Sequence, residues 1–308
     1  MINSAKVWSR AAALVFVAIC AFAQDSPTKA QKAPSHAKEE ASKPETARGS
    51  KEVSVRDETF HSDSLGRDMK YRVILPVGYA TSQHHYPVLY LLHGALGSYV
   101  DWESRTNVDD YVRDLPLIVV MPDADESWYT NSATVPEDRY EDYIIKDVIR
   151  EVEGKFRAVR AQYARAIAGL SMGGYGAVKF ALKYPNSFAF AASFSGAFEV
   201  PEDIEKSSDE FFHDIWLKVF GPADNPTRAD NDLIQLAQRV RANVVPYLWL
   251  SCGTGDNLLE FNRAVVRELK LRGIAYEYHE APGAHSWKFW DAQLRVMLPS
   301  LMEHLKSH

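Results

Sequence analysis

The stretch ARAIAGLSMGGYG, residues 164–176, decides the fold of this chain. Its first half, Ala164 to Ala168, is small and apolar and predicts a buried strand. The small residues after Ser171 favour a helix that can pack closely on a sheet. Between the two lies the pattern Gly-x-Ser-x-Gly, which is typical of a sharp strand-to-helix turn that exposes the serine hydroxyl. The sequence therefore predicts that Ser171 is a nucleophile.

A serine hydroxyl needs a histidine to accept its proton and a carboxylate to orient that histidine. Two loops that follow predicted strands supply these groups. The strand at 246–251 leads into Cys-Gly-Thr-Gly-Asp, which ends at Asp256, and the strand at 275–280 leads into a Pro-Gly loop with His285. The chain order serine, acid, histidine is the order found in α/β-hydrolases. We therefore predict a triad of Ser171, Asp256 and His285.

Two other carboxylates compete with Asp256 for the role of the acid. Glu280 is too close to the histidine in sequence, and Asp291 lies inside the predicted last helix. Asp256 is favoured over both because it follows a strand end in a glycine-rich loop.

A third loop is expected to stabilise the oxyanion of the reaction. The apolar strand at 87–92 ends in His93-Gly94-Ala95-Leu96-Gly97, which resembles the His-Gly oxyanion loops of esterases. An oxyanion needs backbone donors that are already in place. We predict the N–H groups of Met172 and Ala95, with Leu96 as the alternative to Ala95. His93 is then expected to hold the loop rather than to act as an acid or base.

Six segments resemble the esterase D and tributyrin esterase group of the α/β-hydrolase superfamily. This group is related to the feruloyl and acetylxylan esterases of carbohydrate esterase family 1 and to mycolyltransferases. The likeness runs from about Val53 to the C terminus and implies serine-dependent hydrolysis of acyl esters, without fixing the acyl or alcohol group. The segments are LLHGALGSYVDW (91–102), MPDADESWYTNS (121–132), YEDYIIKDVI (140–149), GLSMGGYGA (169–177), CGTGDNLL (252–259) and GAHSWKFW (283–290).

The order of predicted elements indicates an α/β fold with a mostly parallel central sheet and helices on both faces. The first strands have no helix between them and are expected to form an antiparallel edge. The segment 196–243, after the sixth strand, predicts a small helical insertion over the active site, with helices at 209–219 and 232–241. The strands are predicted at 52–60, 69–75, 87–92, 117–121, 164–168, 188–194, 246–251 and 275–280.

The N-terminal residues differ in composition from the rest. Lys6 and Arg10 precede an apolar run, Ala11–Phe22, that is too short to span a bilayer and ends in an Ala-x-Ala pattern. This pattern predicts export to the periplasm or the medium. An uncleaved anchor is the alternative, and lipidation at Cys20 is disfavoured by the large Ile19 before it.

We expect three parts in the chain: a signal peptide at 1–23, a disordered linker at 24–50 and a catalytic domain at 51–308. The linker is rich in Lys, Ala, Pro, Ser and Glu, which cannot bury enough apolar surface to fold. The linker is expected to be a solvated spacer, with a tether to a membrane or wall as the alternative.

Composition sets limits on partners. The chain has 308 residues, of which 46% are hydrophobic, enough for one large core. Loss of Lys6 and Arg10 with the signal would leave 33 basic residues against 41 acidic ones, a formal charge of −8, which disfavours nucleic acid.

Cys252 would then be the one remaining cysteine, and its side chain is expected to be packed in the core. No sequence motif predicts a metal or a cofactor. Stable membrane insertion is not expected, and the oligomeric state is not predicted.

Five aromatic residues near strand ends are candidates for substrate contacts, with packing inside the loops as the alternative. They are Trp102, Trp128, Tyr129, Phe198 and Trp287.

The sequence thus predicts an exported serine carboxylesterase for short acyl esters. A carbohydrate esterase and an acyltransferase remain as alternatives. A non-catalytic binding module is disfavoured because the three triad residues are all present in order.

Overall fold

An eight-stranded sheet forms the centre of the computed structural model, which describes residues 53–201, 204–206 and 210–305. Its strands are Ser54–Ser62 (β1), Arg67–Leu75 (β2), Val88–Leu92 (β3), Ile118–Pro122 (β4), Arg165–Leu170 (β5), Phe190–Phe194 (β6), Tyr247–Gly253 (β7) and Tyr276–Ala281 (β8). They lie in the order β1-β2-β4-β3-β5-β6-β7-β8. β2 pairs antiparallel with β1 and β4, and all other neighbours are parallel. The predicted antiparallel edge and mostly parallel sheet are therefore confirmed.

The predicted strands match the observed ones to within two residues at every end that the structure describes. Glu52, the predicted start of the first strand, lies outside the described residues, as do the predicted signal peptide at 1–23 and linker at 24–50. The match is close because β3, β4 and β6 are buried at every position. Parallel strands covered on both faces are continuous apolar runs, which are easy to recognise.

Helices cover both faces of the sheet, as predicted. They are Asp101–Arg105 (α1), Val108–Val112 (α2), Tyr140–Asp142 (α3), Ile149–Lys155 (α4), Met172–Lys183 (α5), Glu210–Phe220 (α6), Pro226–Asn231 (α7), Leu233–Arg239 (α8), Leu259–Arg272 (α9) and Trp287–His304 (α10). A π-helix, Tyr143–Val148, joins α3 to α4, and short 3-10 helices lie at Gln162–Ala164, Ile204–Lys206 and Ala242–Val244. Across the described ranges, none of these helices is long and apolar enough to cross a membrane.

Alternation along the strands divides the core into two layers. Val88, Tyr90 and Leu92 of β3 point to one face, which α4, α5, α8 and α9 cover. Leu89 and Leu91 point to the other face, which α1, α2 and α10 cover. The carboxyl ends of the parallel strands meet at one edge of this sandwich, where the predicted site residues lie.

The insertion between β6 and β7 is helical, as predicted. The predicted helices 209–219 and 232–241 correspond to α6 and α8, with residue 209 outside the described residues. The sequence analysis missed α7, although Asn225 caps it by accepting the Thr227 N–H at 2.9 Å and Pro226 occupies its first position. α6 packs on the loop after β4, where Ala133 N–H donates to Val219 O at 2.8 Å.

A buried lysine joins the helix after Ser171 to the loop after β4. The Lys179 Nζ has no exposed surface and donates to Tyr129 O at 2.5 Å, Thr130 Oγ1 at 2.8 Å and Glu141 Oε2 at 3.1 Å. Burial alone would raise the pKa of Glu141, but Lys179 and Lys183 lower it to about 2. Burial lowers the pKa of Lys179 to about 8, although Glu141 opposes that shift.

We expect Glu141→Leu to lower the free energy of unfolding by about 3 kcal/mol, because it leaves Lys179 buried without its carboxylate. The double variant Glu141→Leu/Lys179→Met leaves no fully buried unpaired charge, because the remaining partner of Glu141, Lys183, is partly exposed to solvent, so its loss is expected to be smaller. Urea unfolding of both variants and the wild type at pH 7 measures these differences. A double variant less stable than Glu141→Leu would contradict this account.

Candidate active site

The turn between β5 and α5 holds Ser171 in a strained conformation. Its φ is 52° and its ψ is −116°, and a positive φ is unfavourable for a residue with a Cβ. The chain can turn here because two glycines approach other backbone closely. A Cβ on Gly169 would lie 2.5 Å from Gly173 O, and one on Gly173 would lie 2.5 Å from His93 O. Ser171 is partly exposed, whereas Met172 after it is buried.

Ser171, His285 and Asp256 form a chain of hydrogen bonds. His285 Nε2 lies 3.0 Å from Ser171 Oγ, and His285 Nδ1 lies 3.0 Å from Asp256 Oδ2. The second Asp256 oxygen accepts the Leu258 N–H at 2.9 Å. Burial alone would raise the pKa of Asp256, but the bonds from His285 and Leu258 hold it below its ordinary value. Asp256 is thus a carboxylate, which requires the His285 proton on Nδ1 and leaves Nε2 to accept from Ser171.

Backbone hydrogen bonds fix the loops that carry the acid and the base. Thr254 N–H donates to Ala281 O at 2.9 Å, and Gly255 N–H donates to Gly283 O at 2.8 Å. A Cβ on Gly253 would lie 2.5 Å from Gly283 O, so the two loops are in direct contact. The pairing of β7 with β8 therefore continues into the site and sets the distance between Asp256 and His285.

The other candidate groups are engaged elsewhere. Glu280 pairs with Arg263 at 2.6 Å, and Asp291 accepts the Tyr111 hydroxyl at 2.8 Å. Cys252 is buried, and burial raises the pKa of its thiol to about 12. A thiol in this state is not a nucleophile at neutral pH.

His93 fixes the loop that carries Ala95. Its Nδ1 lies 2.8 Å from Gly94 O, and its Nε2 lies 3.0 Å from the Ala124 nitrogen. A carbonyl can only accept and an amide N–H can only donate, so Nδ1 carries the proton and the ring is neutral. Because the peptide group is planar and trans, holding Gly94 O on one side aims the Ala95 N–H to the other side. His93 is thus a structural group, as predicted from the sequence.

Hydrogen bonds of the same loop show which of the two residues, Ala95 or Leu96, has a backbone N–H that is available to an oxyanion. A Cβ on Gly94 would lie 3.4 Å from Ser171 Cβ, so the loop lies directly against the nucleophile turn. The Leu96 N–H donates to Glu126 Oε1 at 2.5 Å. The Ala95 N–H donates to no acceptor among the described residues, and Met172 is the first residue of α5, where N–H groups lack intrahelical partners. These two amides are available to a ligand, whereas that of Leu96 is not.

Four of the five aromatic candidates are buried, and three of them almost completely. Trp102, Trp128 and Tyr129 are at most 2% exposed. Trp102 Nε1 donates to Leu92 O at 2.9 Å, and the Tyr129 hydroxyl donates to His93 O at 2.8 Å. These three side chains pack between strands, helices and loops and leave no surface for a substrate. They therefore fit the alternative in which the aromatic residues pack inside the protein.

The other two candidates lie closer to the surface. Phe198 is 8% exposed and folds over Gly196, where a Cβ would overlap its ring. Trp287 is partly exposed two residues after His285, and its ring contacts Trp102 edge-to-face at 5.6 Å. Trp287 therefore remains the best placed of the five for a substrate contact.

Sequence analysis overlooked Trp290. Its ring lies edge-on to that of His285, with centroids 4.8 Å apart and an interplanar angle of 88°. This contact limits rotation of the imidazole. The signal was available, because Trp290 lies in the first turn of the predicted last helix, directly after the histidine loop.

The order of these residues and their place at the carboxyl edge of the sheet define a serine hydrolase with the α/β-hydrolase fold. The chain belongs to the Esterase family, whose model matches residues 62–301. It is accordingly a carboxylic-ester hydrolase.

Relatives of known structure or activity agree with this assignment. The acetyl esterase of Caldicellulosiruptor saccharolyticus is 26% identical over 254 residues, which are 78% of this chain and 94% of that protein. Esterase Rv1288 of Mycobacterium tuberculosis is 32% identical over 74% of this chain and 55% of its own length. The solved structure of FphF, a fluorophosphonate-binding serine hydrolase of Staphylococcus aureus, has a TM-score of 0.74 at 26% identity and covers 81% of this chain and 98% of that chain.

The resemblance predicted from the six sequence segments is also confirmed. A feruloyl esterase and several mycolyltransferases are among the similar proteins. The α/β-hydrolase fold is confirmed by the solved structures.

Burial of neutral His93 makes stability depend on pH. Burial lowers the pKa of His93 below its ordinary 6.5, and Asp123, 3.6 Å from Nε2, only partly opposes this. Below pH 6.5 the unfolded chain therefore binds more protons at this residue than the folded chain, and stability falls as the pH drops.

We expect His93→Asn to flatten this dependence, because the amide can still donate to Gly94 O but does not titrate. Urea midpoints between pH 5 and pH 8 measure the slope in the variant and the wild type. Equal slopes below pH 6.5 would contradict the assignment of a neutral buried imidazole.

Proposed function

We propose that this chain is an exported serine carboxylesterase that hydrolyses short-chain acyl esters through an acyl-enzyme. The observation that carries the proposal is the chain of two 3.0 Å hydrogen bonds from Asp256 through His285 to the partly exposed Ser171. A hydroxyl, an imidazole and a carboxylate in this arrangement suit nucleophilic attack on an ester.

In the proposed reaction, Ser171 Oγ attacks the ester carbonyl carbon while His285 Nε2 accepts the hydroxyl proton. Asp256 stays ionised and stabilises the imidazolium that forms. The N–H groups of Ala95 and Met172 donate to the oxyanion. His285 then gives the proton to the departing alcohol, leaving the acyl group on Ser171. Water attacks this acyl-enzyme with the same proton transfers and releases the acid.

Support for a short acyl group comes from a relative of this chain. The acetyl esterase matches 78% of the chain and is itself matched over 94% of its length. A carbohydrate esterase is the second candidate, because Trp287 exposes part of its ring beside His285 and could stack on a sugar or phenolic ring. One relative is named an endo-1,4-beta-xylanase/feruloyl esterase.

Hydrolysis rates of wild type and Ser171→Ala on p-nitrophenyl esters from acetate to laurate, methyl ferulate and acetylated xylan test the proposal. We expect turnover to peak at short chains and Ser171→Ala to lose at least about 10³-fold in kcat, because no other group can form the acyl-enzyme. Ser104→Ala, which removes an exposed hydroxyl from α1, serves as the matched control.

Three outcomes would change the proposal. Activity retained in folded Ser171→Ala would mean a different nucleophile. A preference for ferulate or xylan would favour the carbohydrate esterase. Transfer of the acyl group to an added alcohol in preference to water would favour an acyltransferase.

Export is proposed from the N-terminal pattern of Lys6, Arg10 and the apolar run Ala11–Phe22. We expect protein recovered outside the cytoplasm to begin at Gln24, because cleavage is predicted after the Ala-x-Ala pattern. N-terminal sequencing of the fractionated protein measures this. A full-length chain confined to the cytoplasm would contradict export.

A further inference from the structure

Glu126, in the loop after β4, contacts the loop that carries Ala95. Its Oε1 accepts the Leu96 N–H at 2.5 Å. Its Oε2 is buried and makes no hydrogen bond within the part of the chain that the structure describes. The amide of Leu96 is therefore the principal polar partner of this carboxylate.

Leu96 needs an external support to keep its conformation. Its φ is 59°, in the left-handed region that is strained for leucine. Packing does not hold it there, because Leu96 is 59% exposed. The neighbouring turn contributes one long hydrogen bond, from Gly97 N–H to Gly94 O at 3.2 Å. The bond to Glu126 is thus the strongest interaction that keeps Leu96 in place.

Ala95 lies between two peptide groups that are held from different sides. His93 holds the carbonyl of the Gly94–Ala95 peptide at 2.8 Å. Glu126 holds the amide of the Ala95–Leu96 peptide. With both peptide planes fixed, the direction of the Ala95 N–H is determined. Loss of either support would let the donor rotate away from the nucleophile turn.

We propose that Glu126 is a positioning residue for the oxyanion site: by binding the Leu96 amide it keeps the Ala95 N–H aimed at the carbonyl oxygen of the substrate. This inference rests on the proposed function, in which Ala95 is an oxyanion donor. In the part of the chain that the structure describes, Glu126 makes no hydrogen bond to Ser171 or His285, so its effect is on the stabilisation of the transition state.

A matched pair of substrates separates this role from a general effect on structure. An oxyanion site built for oxygen discriminates against the sulfur of a thionoester, because sulfur is larger and accepts hydrogen bonds weakly. Misdirection of the Ala95 N–H would reduce that discrimination. The ratio of kcat/KM for p-nitrophenyl acetate to that for its thionoacetate analogue therefore reports on the alignment of the site.

For Glu126→Ala we expect kcat on the acetate to fall about 10- to 100-fold, KM to stay within about threefold, and the ester-to-thionoester ratio to fall. Glu126→Gln keeps a carbonyl oxygen for the Leu96 amide and is expected to stay within about fivefold of wild type. Glu126→Asp keeps the charge but is one methylene too short, so it should behave like Glu126→Ala. Glu137→Ala, an exposed glutamate in the same loop, is the control and should match wild type.

Equal losses on both substrates would overturn the proposal and assign Glu126 a structural role only. Unchanged activity in folded Glu126→Ala or Glu126→Asp would also overturn it. Ser171→Ala keeps the two hypotheses apart. If that variant is inactive while Glu126→Ala behaves like Glu137→Ala, this inference fails and the proposed function stands. If Ser171→Ala remains active, the proposed function itself fails.

Discussion

The site depends on the close approach between the β5–α5 turn and the end of β3. At Gly173 the helix start lies against the carbonyl oxygens of Leu92 and His93, with no room for a Cβ. A Cβ on Gly94 would in turn lie 2.5 Å from Leu170 Cδ1 and 3.4 Å from Ser171 Cβ. The turn that holds Ser171 and the loop proposed to hold the oxyanion are therefore in direct contact, with backbone against backbone at Gly173.

A buried polar network extends this contact into the body of the protein. Lys179, on the helix that follows the nucleophile, binds the carbonyl of Tyr129, and the Tyr129 hydroxyl binds the carbonyl of His93. The Tyr129 ring also lies against Gly176 of the same helix. The helix α5, the loop after β4 and the end of β3 thus form one connected unit. Breaking a buried network of this kind leaves unpaired polar groups, which is costly.

The sequence predicts the strands well, because strand ends in a parallel sheet can be located from apolar runs and glycine-rich loops. The structure also brings Ser171, Asp256 and His285 together at hydrogen-bond distance, as the predicted triad requires. The sequence does not predict where loop aromatics point. Trp128 and Tyr129 have φ values of 54° and 52°, which no local pattern requires. These torsions are held by long-range partners such as Lys179. The sequence does not predict the role of Glu126 for the same reason, since its hydrogen-bond partner Leu96 lies thirty residues earlier in the chain.

The backbone connection between the acid and base loops has a wider consequence. Thr254 and Gly255 bind Ala281 and Gly283 through main-chain atoms alone, so the distance between the loops that carry Asp256 and His285 is independent of most side chains around them. Exposed side chains around the site, such as that of Leu96, can then be exchanged without changing this distance. The groups proposed to carry out the reaction are therefore largely independent of the surface residues that select the ester. Substitutions among the surface residues around the site can then give the same fold new substrate specificities.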